Sequence, residues 1–97
     1  MSAFKLTPRA QRDFDEIWDY SKSKWGGRRA LAYLRQIRTA IAMVAAYPDL
    51  GPILEDLPRG YRKRPVGSHV IFYLPRGDQT EIVRILHQNM DVDSHLP

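Results

Sequence analysis

The sequence has 97 residues, which suits one small domain with one hydrophobic core, and its 43% of hydrophobic residues argues against a disordered chain. It contains no cysteine, which excludes disulfides, thiolate metal sites and cysteine nucleophiles. No apolar run approaches the roughly 18 residues of a membrane span, and the start lacks the apolar stretch of a signal peptide, so we expect a cytoplasmic protein with no membrane partner.

The net charge of +4 is distributed unevenly along the chain. Residues 25–48 contain four arginines and no acid, and residues 59–64 contain four more basic residues. Residues 49–58, between these two segments, are acidic. This pattern fits an anionic partner or a solvated surface equally well, and charge alone does not separate nucleic acid from an acidic protein.

The first part of the chain predicts a short strand and a helix. Residues 4–6 read as extended, and Thr7-Pro8 is typical of a helix start, because threonine caps the helix and proline needs no amide partner at the first position. Apolar side chains then recur at helical spacing as far as Trp25. Gly26-Gly27 ends the helix, since glycine readily adopts the left-handed conformation found at helix ends.

A second helix is predicted from near Arg28 to Pro48, with one apolar stripe along it. Only two glycines separate the two helices, so they are expected to fold back as a hairpin. The side chains expected in the core are Trp18, Leu34, Ile37, Ile41, Ile71 and Ile85, with Phe14 and Trp25 beside them.

The second half predicts a loop over residues 49–58 and three strands at residues 61–66, 69–74 and 81–86. Short glycine-containing turns join the strands, which indicates an antiparallel meander. The central strand is almost entirely apolar and is expected to be covered on both faces. Residues 88–97 are polar and predict a short turn or helix with a loose tip.

This order of elements predicts an α+β fold in which residues 1–97 form a single domain: a strand, a two-helix hairpin and a three-stranded antiparallel meander, with the helices packed on one small sheet. Few residues point to catalysis. His69 and His87 lie at strand ends, where a histidine is more often held by a backbone group than used as a base. The oxygen and imidazole ligands of residues 91–95 lack the spacing of a calcium loop. We therefore expect no catalytic residue, no metal and no cofactor.

Basic side chains of the predicted sheet form one candidate binding patch. Arg62, Arg64, Arg84 and His87 lie on neighbouring strands and together suit phosphates or carboxylates. Strand alternation places Lys63 on the face opposite Arg62 and Arg64.

Seven short segments, in this order and at these spacings along the chain, together carry a resemblance to a known family. They are residues 6–10, 16–20, 25–26, 47–51, 60–63, 66–73 and 85–92. The chain resembles the ParE-type toxins of the RelE/ParE superfamily, which belong to bacterial type II toxin–antitoxin pairs. The resemblance implies the predicted fold, inhibition of DNA gyrase by binding, and neutralisation by a cognate ParD-like antitoxin.

The resemblance also separates two branches of the superfamily. RelE-type members are ribosome-dependent ribonucleases that use basic residues of the sheet, including an arginine at the position where this chain has His69-Val70. No tyrosine follows Tyr73, where ribonuclease members often carry a late tyrosine or histidine. The chain therefore favours an inhibitory binding protein over an enzyme. An RelE-like mRNA ribonuclease and a degenerate toxin that only binds antitoxin remain the alternatives.

Two sets of contact residues follow from this interpretation. An acidic and partly apolar antitoxin arm is expected to contact basic strand residues and apolar helix residues, namely Leu31, Tyr33, Arg62, Arg64 and Arg84. The polar segment after the last strand is expected to contact the target, through His87, Gln88, Asn89, Met90 and Asp91. Asn89 stands where many ParE-like chains carry an arginine. No specific DNA binding is expected of the toxin alone.

Overall fold

The computed structural model describes residues 3–97. Its helices and strands follow the predicted order and are β1 (Ala3–Leu6), α1 (Pro8–Trp25), α2 (Gly27–Ala46), β2 (Arg62–Val66), β3 (His69–Arg76), β4 (Gln79–His87) and the short α3 (Val92–His95). The predicted loop between α2 and β2 contains two single turns of 3-10 helix. Among residues 3–97, no helix is both long and apolar enough to cross a membrane.

The four strands form one sheet in the order β1-β4-β3-β2. The last three strands pair antiparallel, which confirms the predicted meander, and β1 pairs parallel with β4. The chain therefore has the predicted α+β fold. The parallel pairing joins the two ends of the chain, and no local residue pattern specifies it.

The beginning of α1 is fixed by its predicted cap. The Thr7 hydroxyl accepts a hydrogen bond from the Ala10 amide at 3.0 Å and donates one to the Val83 carbonyl at 2.8 Å. One residue thus caps the helix and joins it to β4. At the other end, Gly26 has a φ of 89°, which favours glycine, and separates α1 from α2.

The main core lies between the helical hairpin and one face of the sheet. Leu34, Ile37, Ile41, Ile71 and Ile85 are all buried there, as predicted. The expectation of a buried tryptophan pair on α1 is wrong. Trp18 is only half-buried at the rim of the core, and Trp25 is 37% exposed at the end of the helix.

A second, smaller core covers the opposite face of the sheet. Buried Tyr61, Leu74 and Val83 pack there against partly buried leucines of the long loop and of the tail. The central strand β3 is therefore covered on both faces, as predicted. The loose tip is contradicted, because the Tyr61 hydroxyl donates to the Pro97 carbonyl at 3.1 Å and ties the tail to this core.

The turn that follows α2 is held by a buried tyrosine of the sheet. The Tyr73 hydroxyl accepts from the Gly51 amide and donates to the Pro48 carbonyl, both at 2.9 Å. Position 51 has no room for a side chain, because a Cβ there would collide with the Lys63 carbonyl and the Tyr73 hydroxyl. The beginning of the loop is thereby anchored on the central strand β3 and lies close against β2.

Candidate partner-binding surfaces

Arg84 does not lie on an open face of the sheet. It is 7% exposed, and its guanidinium donates to both carboxylate oxygens of Asp13 on α1, at 2.7 and 2.9 Å. A third hydrogen bond, of 3.1 Å, reaches the His95 carbonyl in the tail. The same Asp13 carboxylate accepts from the Ile85 amide at 2.9 Å. This arrangement connects α1, β4 and the tail.

The electrostatics of Arg84 fit a structural role. Its hydrogen bonds to Asp13 raise its pKa above the ordinary value, against the opposing effect of burial. The Nε, Nη1 and Nη2 atoms of Arg84 all donate hydrogen bonds within the protein, so few of its donors are available to a partner's carboxylate. The expectation that Arg84 contacts the antitoxin is therefore corrected: the burial of β4 beneath α1 and the tail turns this arginine inward.

Arg62 is also engaged within the protein, although less completely. It donates to the Gly51 carbonyl at 2.6 Å and lies 3.4 Å from the fully exposed carboxylate of Asp49. These contacts fasten the turn after α2 to β2. Arg62 and Arg84 lie on strands separated by β3, so the predicted patch on neighbouring strands does not assemble.

Arg64 is the half-buried arginine of β2 that lies beside α2. It lines a groove between α2 and β2 together with Arg35, Met43 and Val66. Its Nε atom is buried and has no hydrogen-bond partner among residues 3–97. As predicted from strand alternation, Lys63 lies on the opposite face of the sheet, where it lines a different cavity.

A second groove runs between α1 and α2 on the outer side of the hairpin. Phe14, Trp18 and Leu31 supply its apolar walls. Arg35 and Arg38 supply two positive charges against the single negative charge of Asp15. Leu31 is 44% exposed, which leaves a large part of this predicted contact residue available.

The two grooves share Arg35, so they form one continuous surface across the exposed side of α2. We call this the α2 surface and define it by Leu31, Arg35, Arg38, Met43 and Arg64. Sequence reasoning missed Arg35 and Arg38. The signal was present, since the two arginines are one helical turn apart in an acid-free segment.

Tyr33 lies on another side of α2 from Leu31 and packs toward the sheet. Its hydroxyl accepts from the Ser68 amide at 3.0 Å and lies 2.6 Å from Nδ1 of His69. The Tyr33 hydroxyl thus joins α2 both to the turn before β3 and to the imidazole of His69. The turn residue Gly67 packs against the Tyr33 ring and has no room for a side chain. Trp25 meets the other side of the ring edge-on at 5.8 Å.

His69 and His87 are paired across β3 and β4, with ring centroids 5.5 Å apart. Burial lowers the pKa of His69 below its ordinary value of 6.5, the charge of His87 lowers it further, and Asp13 partly opposes both. The expectation that both histidines are held by backbone groups is correct for His87, whose Nδ1 accepts from the Asn89 amide at 3.2 Å. It is wrong for His69, which is held by a tyrosine.

The five predicted target-contact residues do not share one surface. His87 and Met90 line a cavity beside α1, whereas Gln88 lines a cavity on the other face of the sheet. Asn89 is exposed. Asp91 caps α3 by accepting from the Asp93 amide and the Ser94 hydroxyl. Within residues 3–97, no three acidic or histidine side chains converge to form a metal-binding cluster.

The cavity beside Gln88 is a groove of about 620 Å³ on the sheet face opposite the hairpin. We call it the sheet groove. Its floor is formed by Val70 and Phe72 of β3, and its walls are the loop on one side and the tail on the other. The walls carry apolar Ile53 and Val92 and acidic Glu55, Asp56 and Asp93. Sequence reasoning did not bring these two acidic segments together.

A family model for the ParE toxin of the type II toxin-antitoxin system, parDE, matches residues 4–92. The chain belongs to the ParE toxin family. Toxin ParE1 of Caulobacter vibrioides is 43% identical to this ParE-family toxin over 96 residues, 99% of each chain. Toxin ParE1 of Mycobacterium tuberculosis is 44% identical over 96 residues, 98% of each chain.

A chain of the chromosomal ParDE TA system from P. aeruginosa has the same fold as this ParE-family toxin. The two chains superimpose with a TM-score of 0.77 over 90% of this chain and 96% of that one, at 21% identity. The predicted family and fold are thus confirmed, and the chain is a ParE-type toxin of a type II toxin–antitoxin system.

Proposed function

We propose that this toxin arrests growth by binding DNA gyrase in the cytoplasm, and that a cognate ParD-like antitoxin neutralises it by placing an acidic, partly apolar arm on the α2 surface. In this proposal residues 1–97 act as one domain and the toxin is a binding protein rather than an enzyme. The α2 surface is the observation that carries the proposal, because it combines exposed apolar area with unengaged positive charge.

The charged part of the argument rests on Arg64. Its side chain lines the groove between α2 and β2 and forms no ion pair with another residue between positions 3 and 97. Arg35 and Arg38 add positive charge on the neighbouring helix. Together, these arginines favour an acidic partner and speed its association through electrostatic attraction.

The apolar part rests on Leu31 in the groove with α1 and Met43 in the groove with β2, which are 44% and 39% exposed. Half-buried Phe14 and Trp18 extend this apolar area into the groove with α1. An amphipathic arm that buries these side chains between its own apolar residues fits the groove, with its acidic residues toward the arginines.

The ribonuclease alternative loses support from the placement of the basic residues. Phosphodiester cleavage needs a base, an acid and charge stabilisation at one spot. Arg84 is matched by Asp13, and Arg62 holds the Gly51 carbonyl. The Nδ1 atom of His69 is hydrogen-bonded to the Tyr33 hydroxyl. These internal contacts favour a toxin that acts by binding.

The decisive experiment assays the purified toxin in parallel on two targets. Gyrase supercoiling and DNA-cleavage assays are expected to show inhibition, and an mRNA-cleavage assay in a translation extract is expected to show none. Cleaved mRNA with active gyrase would instead support the ribonuclease. Activity in neither assay, with retained antitoxin binding, would support the degenerate toxin. Finding a small acidic ribbon-helix-helix protein encoded beside the toxin gene would support the proposal and would identify the antitoxin for that binding test.

A further inference from the structure

We infer that the sheet groove is the surface that holds the target, and that it accepts a cationic, partly apolar segment of the gyrase protein. This inference rests on the proposed function, because it names the part of the toxin that gyrase contacts. It assigns the contact to the loop and tail together, across the face of the sheet opposite the antitoxin surface.

The groove offers apolar surface that the fold leaves uncovered. Ile53 is 51% exposed at its loop wall, although it is a large aliphatic residue. Val70 and Val92 are half-exposed on the floor and the opposite wall, over the buried ring of Phe72. The adjacent small core ends at this point, so the groove continues an apolar layer that the chain itself does not complete.

The charge of the groove specifies the occupant. Glu55 and Asp56 rise from the loop, Asp93 rises from the tail, and all three are exposed. None of the three carboxylates forms an ion pair with another residue between positions 3 and 97. Lys63 is the single basic residue that lines the groove. These three carboxylates form the acidic rim of the groove. The rim is locally negative, although the net charge of the whole chain is +4.

The negative charge of the acidic rim favours some partners in the groove and disfavours others. The acidic rim repels DNA phosphates, and it repels the acidic arm that the α2 surface favours. A protein segment with lysine or arginine beside aliphatic residues matches both the rim and the floor. The toxin therefore presents two surfaces of opposite charge on opposite sides of the sheet, one for each of two partners.

The experiment measures binding of the purified gyrase holoenzyme to the full-length toxin at low and moderate salt. The test variant is Glu55→Lys/Asp93→Lys, and the matched control is Asp19→Lys/Asp78→Lys, which makes the same change in net charge at exposed acids outside the groove. We expect the test variant to weaken binding at least about tenfold and the control to stay within about threefold. The wild-type affinity should fall as salt screens the rim.

A second pair of variants tests the apolar component without changing charge. Ile53→Ser should weaken gyrase binding at least about fivefold, whereas Leu50→Ser, which removes a similarly exposed side chain beside the groove, should have little effect. Antitoxin binding and the thermal midpoint of each variant confirm that it folds.

The outcomes distinguish this inference from the proposed function. Equal gyrase binding by wild type, test variants and controls overturns the groove assignment and leaves gyrase inhibition standing. Equal losses in test and control variants also overturn it, since net charge alone would then explain the effect. A wild-type toxin that does not bind gyrase overturns the proposed function, and the groove assignment with it.

Discussion

Arg84 and Arg64 lie on strands of the same sheet, yet the structure places them in opposite situations. Arg84 is buried and matched by both oxygens of Asp13, whereas Arg64 lines an open groove with its Nε unpartnered. Arg62 is intermediate, because it holds a backbone carbonyl and remains partly accessible. The role of an arginine here depends on which acceptors already face it. Three predictions test that statement, and a fourth extends it to the half-buried imidazole of His69.

The largest expected effect is on stability, from Arg84→Met. Removing one partner of a buried ion pair leaves Asp13 charged and unpaired, which lowers the free energy of unfolding by about 3–5 kcal/mol. The double variant Asp13→Asn/Arg84→Met should recover about 1–2 kcal/mol, because the asparagine is neutral and still accepts from the Ile85 amide. Urea denaturation measures both. If Arg84→Met is instead as stable as the wild type and binds the antitoxin more weakly, the sequence-based prediction that Arg84 contacts the antitoxin is the better one.

The next effect is on binding, from Arg35→Glu/Arg64→Glu. Reversal of these charges should weaken the antitoxin complex at least about tenfold, mainly through slower association at low salt. Because Arg64 is half-buried, urea denaturation checks that the variant is folded under the conditions of the binding assay. The matched control is Arg9→Glu/Arg12→Glu, at exposed positions of α1 outside the α2 surface. Unchanged association rates in the test variant would exclude electrostatic recognition at this surface.

Arg62→Ala should show a smaller effect, and on stability rather than on association. The loss of its hydrogen bond to the Gly51 carbonyl should lower the free energy of unfolding by about 1–2 kcal/mol. Arg62→Lys should retain part of this contribution, because its ammonium still donates but lacks the forked guanidinium geometry. If Arg62→Ala instead slows antitoxin association as much as the α2-surface variant, the sequence-based assignment of Arg62 to the antitoxin contact is the better one.

The smallest effect concerns pH. The folded protein lowers the pKa of His69, so the unfolded chain binds this proton more readily. The stabilisation contributed by neutral His69 is therefore present above about pH 6.5 and is lost as the pH falls through that value toward the lower folded pKa. His69→Gln should flatten the decline of the thermal midpoint between about pH 7.5 and 5, measured at constant ionic strength. An unchanged slope would show that other groups dominate acid destabilisation.

Much of the fold could be predicted because it depends on neighbouring residues. The Thr7 cap, the glycines between the helices and the apolar stripe of α2 all act within one or two helical turns, and each is where the sequence placed it. The strands of the meander could likewise be predicted from their apolar runs and from the turns between them. The prediction that Trp18 is buried is wrong, although its spacing along α1 fits the apolar stripe. Its burial depends on the packing of α2 against α1, which leaves Trp18 at the groove between the two helices.

The sequence by itself determined the order of elements, the main core and the resemblance that leads to the ParE family. Only the tertiary structure decided the roles of the charged residues. Arg84 meets Asp13 across 71 residues, and the acidic rim of the sheet groove joins a loop and a tail that are almost 40 residues apart. Such contacts depend on how the sheet is ordered and on where α1 and the tail cross it, because a charge acts through the groups that surround it in space. Periodicity and capping describe only neighbours along the chain, so they contain no information on those surroundings.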